Sequence, residues 1–154
     1  RCLVGSEMCI RDRRYTLQSN ESQSVSLREE MEFASAYIFL LKMRFENNLQ
    51  FDIQIAKSFE DYRLPPMAVQ VLIENAVKHN EISDRKPLTI HIVTNNEGYL
   101  SVSNDIQPKR TAASGTGIGL VNLAKRYRLL FKQDIQITED KEFSVCIPLI
   151  DEVQ

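Results

Sequence analysis

Residues 64–80 read LPPMAVQVLIENAVKHN, and this stretch decides the architecture. Pro65 and Pro66 stand where a helix would begin. Pro66 suits the first turn, because a proline there lacks only an N–H that no intrahelical acceptor would have used. From Met67 to His79 the pattern predicts a helix whose apolar residues include Met67, Val69, Val71, Leu72, Ile73 and Ala76. It is nearly all apolar until Glu74, and then Glu74, Asn75, Lys78 and His79 follow within about a turn and a half. Glu74 and Lys78 are i and i+4, as are Asn75 and His79, so the four line adjacent stripes of one side. A carboxamide oxygen beside a carboxylate suits a hard cation that keeps several waters and shares its shell with phosphate oxygens, the manner of Mg2+. Lys78, one turn on, is spaced to meet those phosphates. A helix end turning polar as it leaves the core is the alternative explanation of the same residues.

Upstream, Leu27, Met31, Ala34, Ile38, Leu41 and Phe45 recur at alternating steps of four and three, the seam of a packed helix, with Ser26 and Glu29 as a capping box. Phe33, Tyr37 and Leu40 widen the stripe, so one side of this helix is free to face a partner. Asn47 and Asn48 end it, and Leu49, Phe51, Ile53 and Ile55 alternate with polar residues as a half-buried strand. Downstream, residues 87–104 read as a hairpin turning at Asn95–Gly98, and residues 105–116 as a polar loop. A helix from Ile118 to Phe131 follows, then a second hairpin, Ile135 to Thr138 and Phe143 to Ile147. The order α β α β β α β β predicts an α+β fold, a mixed sheet with helices on one face.

The segment Gly115-Thr116-Gly117-Ile118-Gly119-Leu120 opens the last helix with three alternating glycines. Glycines let the backbone approach an anion, and a helix N-terminus supplies free N–H groups and partial positive charge. The spacing is GxGxG, not GxGxxG, and the preceding residues are a loop, which disfavours a dinucleotide-binding fold; no GxxxxGK[ST] motif exists. A flexible turn before a helix is the alternative here.

Composition bounds the rest. The 154 residues carry 19 basic and 21 acidic side chains, a formal net charge of −2, and 43% are apolar. A chain this long buries about 70% of its unfolded surface, enough for one core. The near-cancelling, interspersed charges argue against a dedicated nucleic-acid binder. The longest apolar run, Phe33 to Leu41 with Ser35 inside it, is far short of the roughly 20 residues that span a bilayer. Cys2, Cys9 and Cys146 form neither a CxxC pair nor an even set, which predicts reduced thiols. Residues 1–13, RCLVGSEMCIRDR, lack any periodicity and resemble a translated sequencing-adapter tail, so they are expected to be non-native, with residues 14–25 a linker and 26–150 the folded domain.

Together, LPPMAVQVLIENAVKHN and SGTGIGLVNLAKRYRLLF resemble the N box and second glycine box of the GHKL ATP-binding superfamily, which includes gyrase, the ninety-kilodalton heat-shock chaperone, histidine kinases and the MutL ATPase. Within it they look like LytS-like sensor histidine kinases, and RYTLQSNESQSVSLREEMEFASAYIFLLKMRF is similar to that class's linker and first helix. The resemblance implies the Bergerat fold, a two-layer α/β sandwich, and a catalytic domain that donates the ATP γ-phosphoryl to a histidine. It implies Asn75 as the Mg2+ ligand, Glu74 as the neighbouring carboxylate, and Lys78 and His79 as phosphate contacts. Gly115, Thr116, Gly117, Ile118, Gly119 and Leu120 would form the phosphate cradle at the end of a lid, residues 105–116, in which Lys109 and Arg110 add charge or simply solvate the loop.

Two departures from the family pattern stand out. The superfamily's Asp-x-Gly-x-Gly box, whose aspartate accepts from the adenine amino group, is replaced by Val102-Ser103-Asn104-Asp105-Ile106-Gln107-Pro108. Register puts Asn104 in the adenine-reading position; Asp105 would serve only after a one-residue slip, which flips the side chain to the other face. The class also phosphorylates a histidine in an Asn-Pro-His-Phe type motif, and neither His79 nor His91 lies in such a context. The dimerisation helices, the response regulator and a membrane anchor are thus expected in sequence outside this chain. The piece itself is expected to be a cytoplasmic monomer, the full kinase a homodimer. A serine-directed kinase of the same superfamily, or a degenerate protein-docking module, are the competing readings.

Overall fold

The first helix starts where the sequence sets its cap in the computed structural model, which describes residues 24–109 and 117–152. Ser26 Oγ accepts the N–H of Glu29 at 3.1 Å, and the Glu29 carboxylate accepts the N–H of Ser26 at 3.2 Å. The cap of α1 (Leu27–Phe45) thereby satisfies two donors reciprocally. Those bonds from Ser26 hold the Glu29 carboxyl below its ordinary pKa. The buried stripe of α1 is Leu27, Glu30, Ala34, Ile38 and Leu41, so the seam runs through Glu30 where the periodicity alone favours Met31, which is half-buried.

A short strand β1 (Val25–Ser26) precedes α1, and a 3₁₀ turn, Glu46–Asn48, leads from it into β2 (Leu49–Gln54). A second 3₁₀ turn, Lys57–Phe59, and β3 (Arg63–Leu64) come before α2 (Ala68–His79). The chain continues through β4 (Leu88–Thr94), β5 (Tyr99–Asp105), α3 (Ile118–Phe131), β6 (Gln136–Glu139) and β7 (Glu142–Pro148). The expected order holds for the main sheet, whose five strands run β2-β4-β5-β7-β6. β2 lies parallel to β4 and the other pairs are antiparallel, which makes the sheet mixed. β1 and β3, two residues each, pair separately and have no sequence signature at that length.

Alternation then sets the layers. Leu88, Ile90 and Ile92 of β4, Leu100 and Val102 of β5, and Val145 and Ile147 of β7 are buried beneath the helices. His91 lies on the opposite, open face, where its Nδ1 sits 2.9 Å from Asp52 Oδ2 across the β2–β4 pair. That contact lowers the Asp52 pKa, and the pair is a strand-to-strand tie. Helix α3 is anchored to the sheet by Tyr127, fully buried, whose hydroxyl donates to the Pro148 carbonyl at 2.8 Å. Cys146 is a free, half-buried thiol; Cys2 and Cys9, with the whole of the expected tail at residues 1–13, lie outside the described residues.

The start of α2 requires a correction. Pro66 is not in its first turn: both prolines precede the helix, and Met67 is its N-cap with a left-handed φ of 69° and no side-chain cap of its own. The cap comes from elsewhere in the chain. Glu30 of α1 accepts the N–H groups of Met67 and Val69, each at 3.0 Å. A non-local carboxylate in place of a local Ser or Asp is invisible to a reading of residues 64–68.

Candidate functional site

The polar side chains of α2 divide between two sides of the helix. Glu74 and Lys78 are exposed and line a cleft of about 1000 Å³ together with Tyr37 and Arg44 of α1, Asn80, and Lys109 from the segment after β5. Glu74 also accepts from Gln70 Nε2 at 3.3 Å. Burial, with the charge of Glu74 nearby, raises the Tyr37 phenol above its ordinary pKa. Asn75 and His79 are half-buried and do not line that cleft.

Asn75 belongs to the side of α2 that meets α3. Val71, four residues earlier on the same stripe, packs against α3: a Cβ on Gly119 would stand 3.2 Å from Val71 Cγ1. Only a residue without a side chain lets the helix opening approach so near without displacing its neighbour. Gly117 caps α3 in a left-handed conformation, φ 73°, and no side chain caps its N-terminus. Ile118 is 65% exposed, Gly119 is exposed, and Gly117 and Leu120 are half-buried. The structure therefore brings the second half of the glycine segment beside the helix face that carries Asn75 one turn later. Gly115, Thr116 and Arg110 lie outside the described residues.

At the end of β5 the two adenine-reading candidates separate. Asn104 shares the helix-covered face with Leu100 and Val102, is 1% exposed, and donates through Nδ2 to the Asp105 carbonyl at 2.8 Å. Asp105 is exposed and follows the other parity, so the structure does not bring its side chain to the helix-covered side.

Three further polar residues hold these elements together, and the sequence reading did not select them. Asn80 Oδ1 accepts the N–H of Gln107 at 2.7 Å while its Nδ2 donates to the Ala76 carbonyl at 2.8 Å, fastening the segment after β5 to the end of α2. Arg126 of α3 donates to the Pro66 carbonyl at 2.6 Å, beside the α2 terminus that Glu30 caps. Glu30 has a signal that could have found it: a carboxylate three residues after Leu27 and four before Ala34 occupies a core position of an apolar seam. Burial drives its carboxyl up to about 7, against the hydrogen bonds from Met67 and Val69 and the charge of Arg126, all of which favour ionisation. Among the described residues no group of three or more His, Cys, Asp and Glu side chains is arranged to hold a metal.

Comparison with known proteins is consistent with this arrangement. A family model described as histidine kinase matches residues 11–49. The sensor protein LytS of Streptococcus mutans is 34% identical over 143 residues, covering 82% of this chain and 24% of that protein. The sensor histidine kinase BtsS of Escherichia coli is 28% identical over 120 residues, covering 76% of this chain and 21% of that protein. The chain thus spans about a quarter of the length of the curated relatives it matches. Among solved structures, a nucleotide-free catalytic domain of histidine kinase ThkA superposes with a TM-score of 0.57 at 19% identity, covering 84% of this chain and 98% of that one. The cytoplasmic segment of histidine kinase QseC gives 0.55 at 10% identity, covering 97% and 96%. Sequence relatives and fold together place the chain with the LytS-like sensor histidine kinases, as a domain with the fold of their catalytic part.

Proposed function

We propose that this domain binds Mg·ATP and donates its γ-phosphoryl group to a histidine on dimerisation helices outside the chain, from which a response regulator receives it. The observation that carries the reading is the approach of the glycine-opened α3 to the Asn75 side of α2 at Gly119 and Val71. An uncapped helix N-terminus is a phosphate-binding element, and here it opens toward the stripe of α2 that carries the Asn75 carboxamide. The family relationship supports the same assignment.

In this reading Asn75 would hold the metal, Glu74 would be the neighbouring carboxylate that orients the attacking group, and Lys78 and His79 would meet phosphate oxygens. The donor set fits Mg2+: one carboxamide and one nearby carboxylate make an incomplete cage, which suits an ion that takes its remaining ligands from water and substrate phosphates. Bound there, Mg2+ would supply neutralisation of the charge that develops on the transferred phosphoryl group. The backbone from Gly117 to Leu120 contacts the phosphates, joined by Gly115 and Thr116, and Asn104 accepts from the adenine amino group. The acceptor histidine nitrogen forms the new N–P bond as the bond from the γ-phosphorus to the β,γ-bridging oxygen breaks and ADP leaves. The domain contributes positioning and charge neutralisation. No helix among the described residues is long and apolar enough to cross a membrane, and we place any anchor, with the homodimer interface, in the rest of a longer sensor.

Titration with Mg·ATP tests the reading. Saturable micromolar to sub-millimolar binding, weakened at least tenfold in Asn75→Ala, is the expected result. Supplying dimerisation helices of a LytS-like kinase in trans should then yield acid-labile phosphate on histidine. Absence of saturable binding would instead favour a degenerate docking module, a reading motivated by the altered box at Asn104.

A further inference from the structure

The glycine-bearing half of α3 is weakly held. Helix α3 buries only Leu123 and Tyr127 among its described residues, and of these only Leu123 lies in the glycine-bearing half, where Ile118 and Val121 are at least half exposed. What fixes this half against α2 is the approach of Gly119 to Val71 and, two turns further on, the bond from Arg126 Nη1 to the Pro66 carbonyl. Pro66 immediately precedes Met67, whose left-handed backbone is pinned by Glu30. Glu30 is 3% exposed and Arg126 is near enough for each to favour the other's charged form. Helices α1, α2 and α3 therefore meet at one junction around the buried Glu30, in which a carboxylate holds the N–H groups of a helix start and a guanidinium holds the carbonyl just before it.

The geometry points to Glu30 and Arg126 as positioning residues: their junction sets the spacing between α2 and α3, and with it the separation of Asn75 from the phosphate-binding opening of α3. Neither side chain touches the proposed nucleotide; they act through Pro66, Met67 and the lie of the two helices. A groove lined by Met67, Val71, Gly119, Asn122, Lys125 and Arg126 runs between the helix starts, so they are not welded by side chains along that line. Loss of the guanidinium leaves the Gly119–Val71 contact and the packing of Leu120 and Leu123 to hold this half. The metal-to-cradle geometry needs these groups within a fraction of an ångström, and a displacement of that size costs affinity without unfolding the core.

This inference rests on the ATP reading for its functional half, and the test separates the two. Arg126→Met, Arg126→Lys and Glu30→Gln are compared with wild type and with Ser26→Ala, a variant that loses the side-chain cap of α1 and neither bond of the junction. Amide hydrogen exchange is followed over residues 118–123 and over β4 and β5, and Mg·ATP affinity is measured by calorimetric titration. Exchange over 118–123 is expected to rise at least tenfold in Arg126→Met with β4 and β5 unchanged. Its Kd should rise at least tenfold, while Arg126→Lys recovers part of both and Ser26→Ala stays within twofold in Kd. Unchanged exchange in Arg126→Met overturns the junction; raised exchange with a Kd within twofold of wild type overturns its positioning role. A wild type that binds no Mg·ATP overturns the ATP reading instead, leaving the exchange measurement to judge the junction. If Arg126→Met does not fold, Glu30→Gln and Arg126→Lys carry the comparison, and two folded variants with wild-type exchange and Kd overturn the proposal.

Discussion

A single carboxamide bears the question of base recognition. Asn104 is enclosed, and one of its amide hydrogens is committed to the Asp105 carbonyl. Its oxygen is a neutral acceptor, weaker toward an exocyclic amine than a carboxylate would be. Asn104→Asp exchanges that bond for a charge. Two opposed effects follow: the fold loses about 1–2 kcal/mol because a buried hydrogen bond goes and a carboxylate is desolvated, while adenine gains a charge-assisted partner. Tighter Mg·ATP binding, by a few-fold to tenfold, with no gain for Mg·GTP, is the expected titration result, alongside a lower midpoint in urea. Weaker ATP binding in a folded variant would mean that Asn104 does not face the base. This register was legible from alternation alone, since Leu100, Val102 and Asn104 share a parity, and the structure puts Asp105 on the other. What alternation could not supply is the enclosure of Asn104, a property of elements distant in sequence.

Helix starts expose the difference between local and non-local determinants. Ser26 and Glu29 are three residues apart, so the beginning of α1 follows from four adjacent residues, and α3 likewise runs from Ile118 to Phe131 as its glycine opening predicts. The α2 start is set by Glu30, which reaches residues 37 and 39 positions away, and there the local signal of two prolines misleads by a turn position. The same contrast separates the candidate residues: Glu74, Asn75, Lys78 and His79 were legible as a run on one helix, whereas Asn80 and Arg126 gain meaning only from partners at Gln107 and Pro66. Local caps are also the separable ones. Ser26→Ala should lower unfolding free energy by about 1 kcal/mol, read from a shift in urea midpoint at constant slope, because the N–H of Glu29 loses its acceptor at the start of α1. A loss above roughly 3 kcal/mol would show that the cap and the β1–β3 pairing beside it unfold as one unit.

Because three helices converge on Glu30, its ionisation is read by the whole molecule. The groups facing it are the N–H donors of Met67, Val69 and Gln70 at the start of α2 and the guanidinium of Arg126 from α3. Tyr127, also from α3, stays neutral, its phenol raised by burial and by Glu30. Burial outweighs the charge-favouring groups and lifts the carboxyl from 4.5 to about 7. Between those values the folded state holds a proton that the unfolded chain has released, so the contribution of this group is fully present below about 4.5 and is lost as pH rises through 7. The size is roughly 3 kcal/mol at most, from the constant that links a pKa shift to free energy. Glu29 and Asp52 have lowered pKa values and act in the opposite sense, with stability lost as pH falls through their folded pKa. The comparison must therefore be a difference: urea unfolding of wild type and Glu30→Gln at pH 5 and pH 8. The stability of wild type relative to Glu30→Gln should fall between the two, by up to about 3 kcal/mol. A difference that stays flat or rises with pH would mean that Arg126 and the α2 N-terminus already ionise Glu30 at pH 5, and that the junction is a buried ion pair throughout the range.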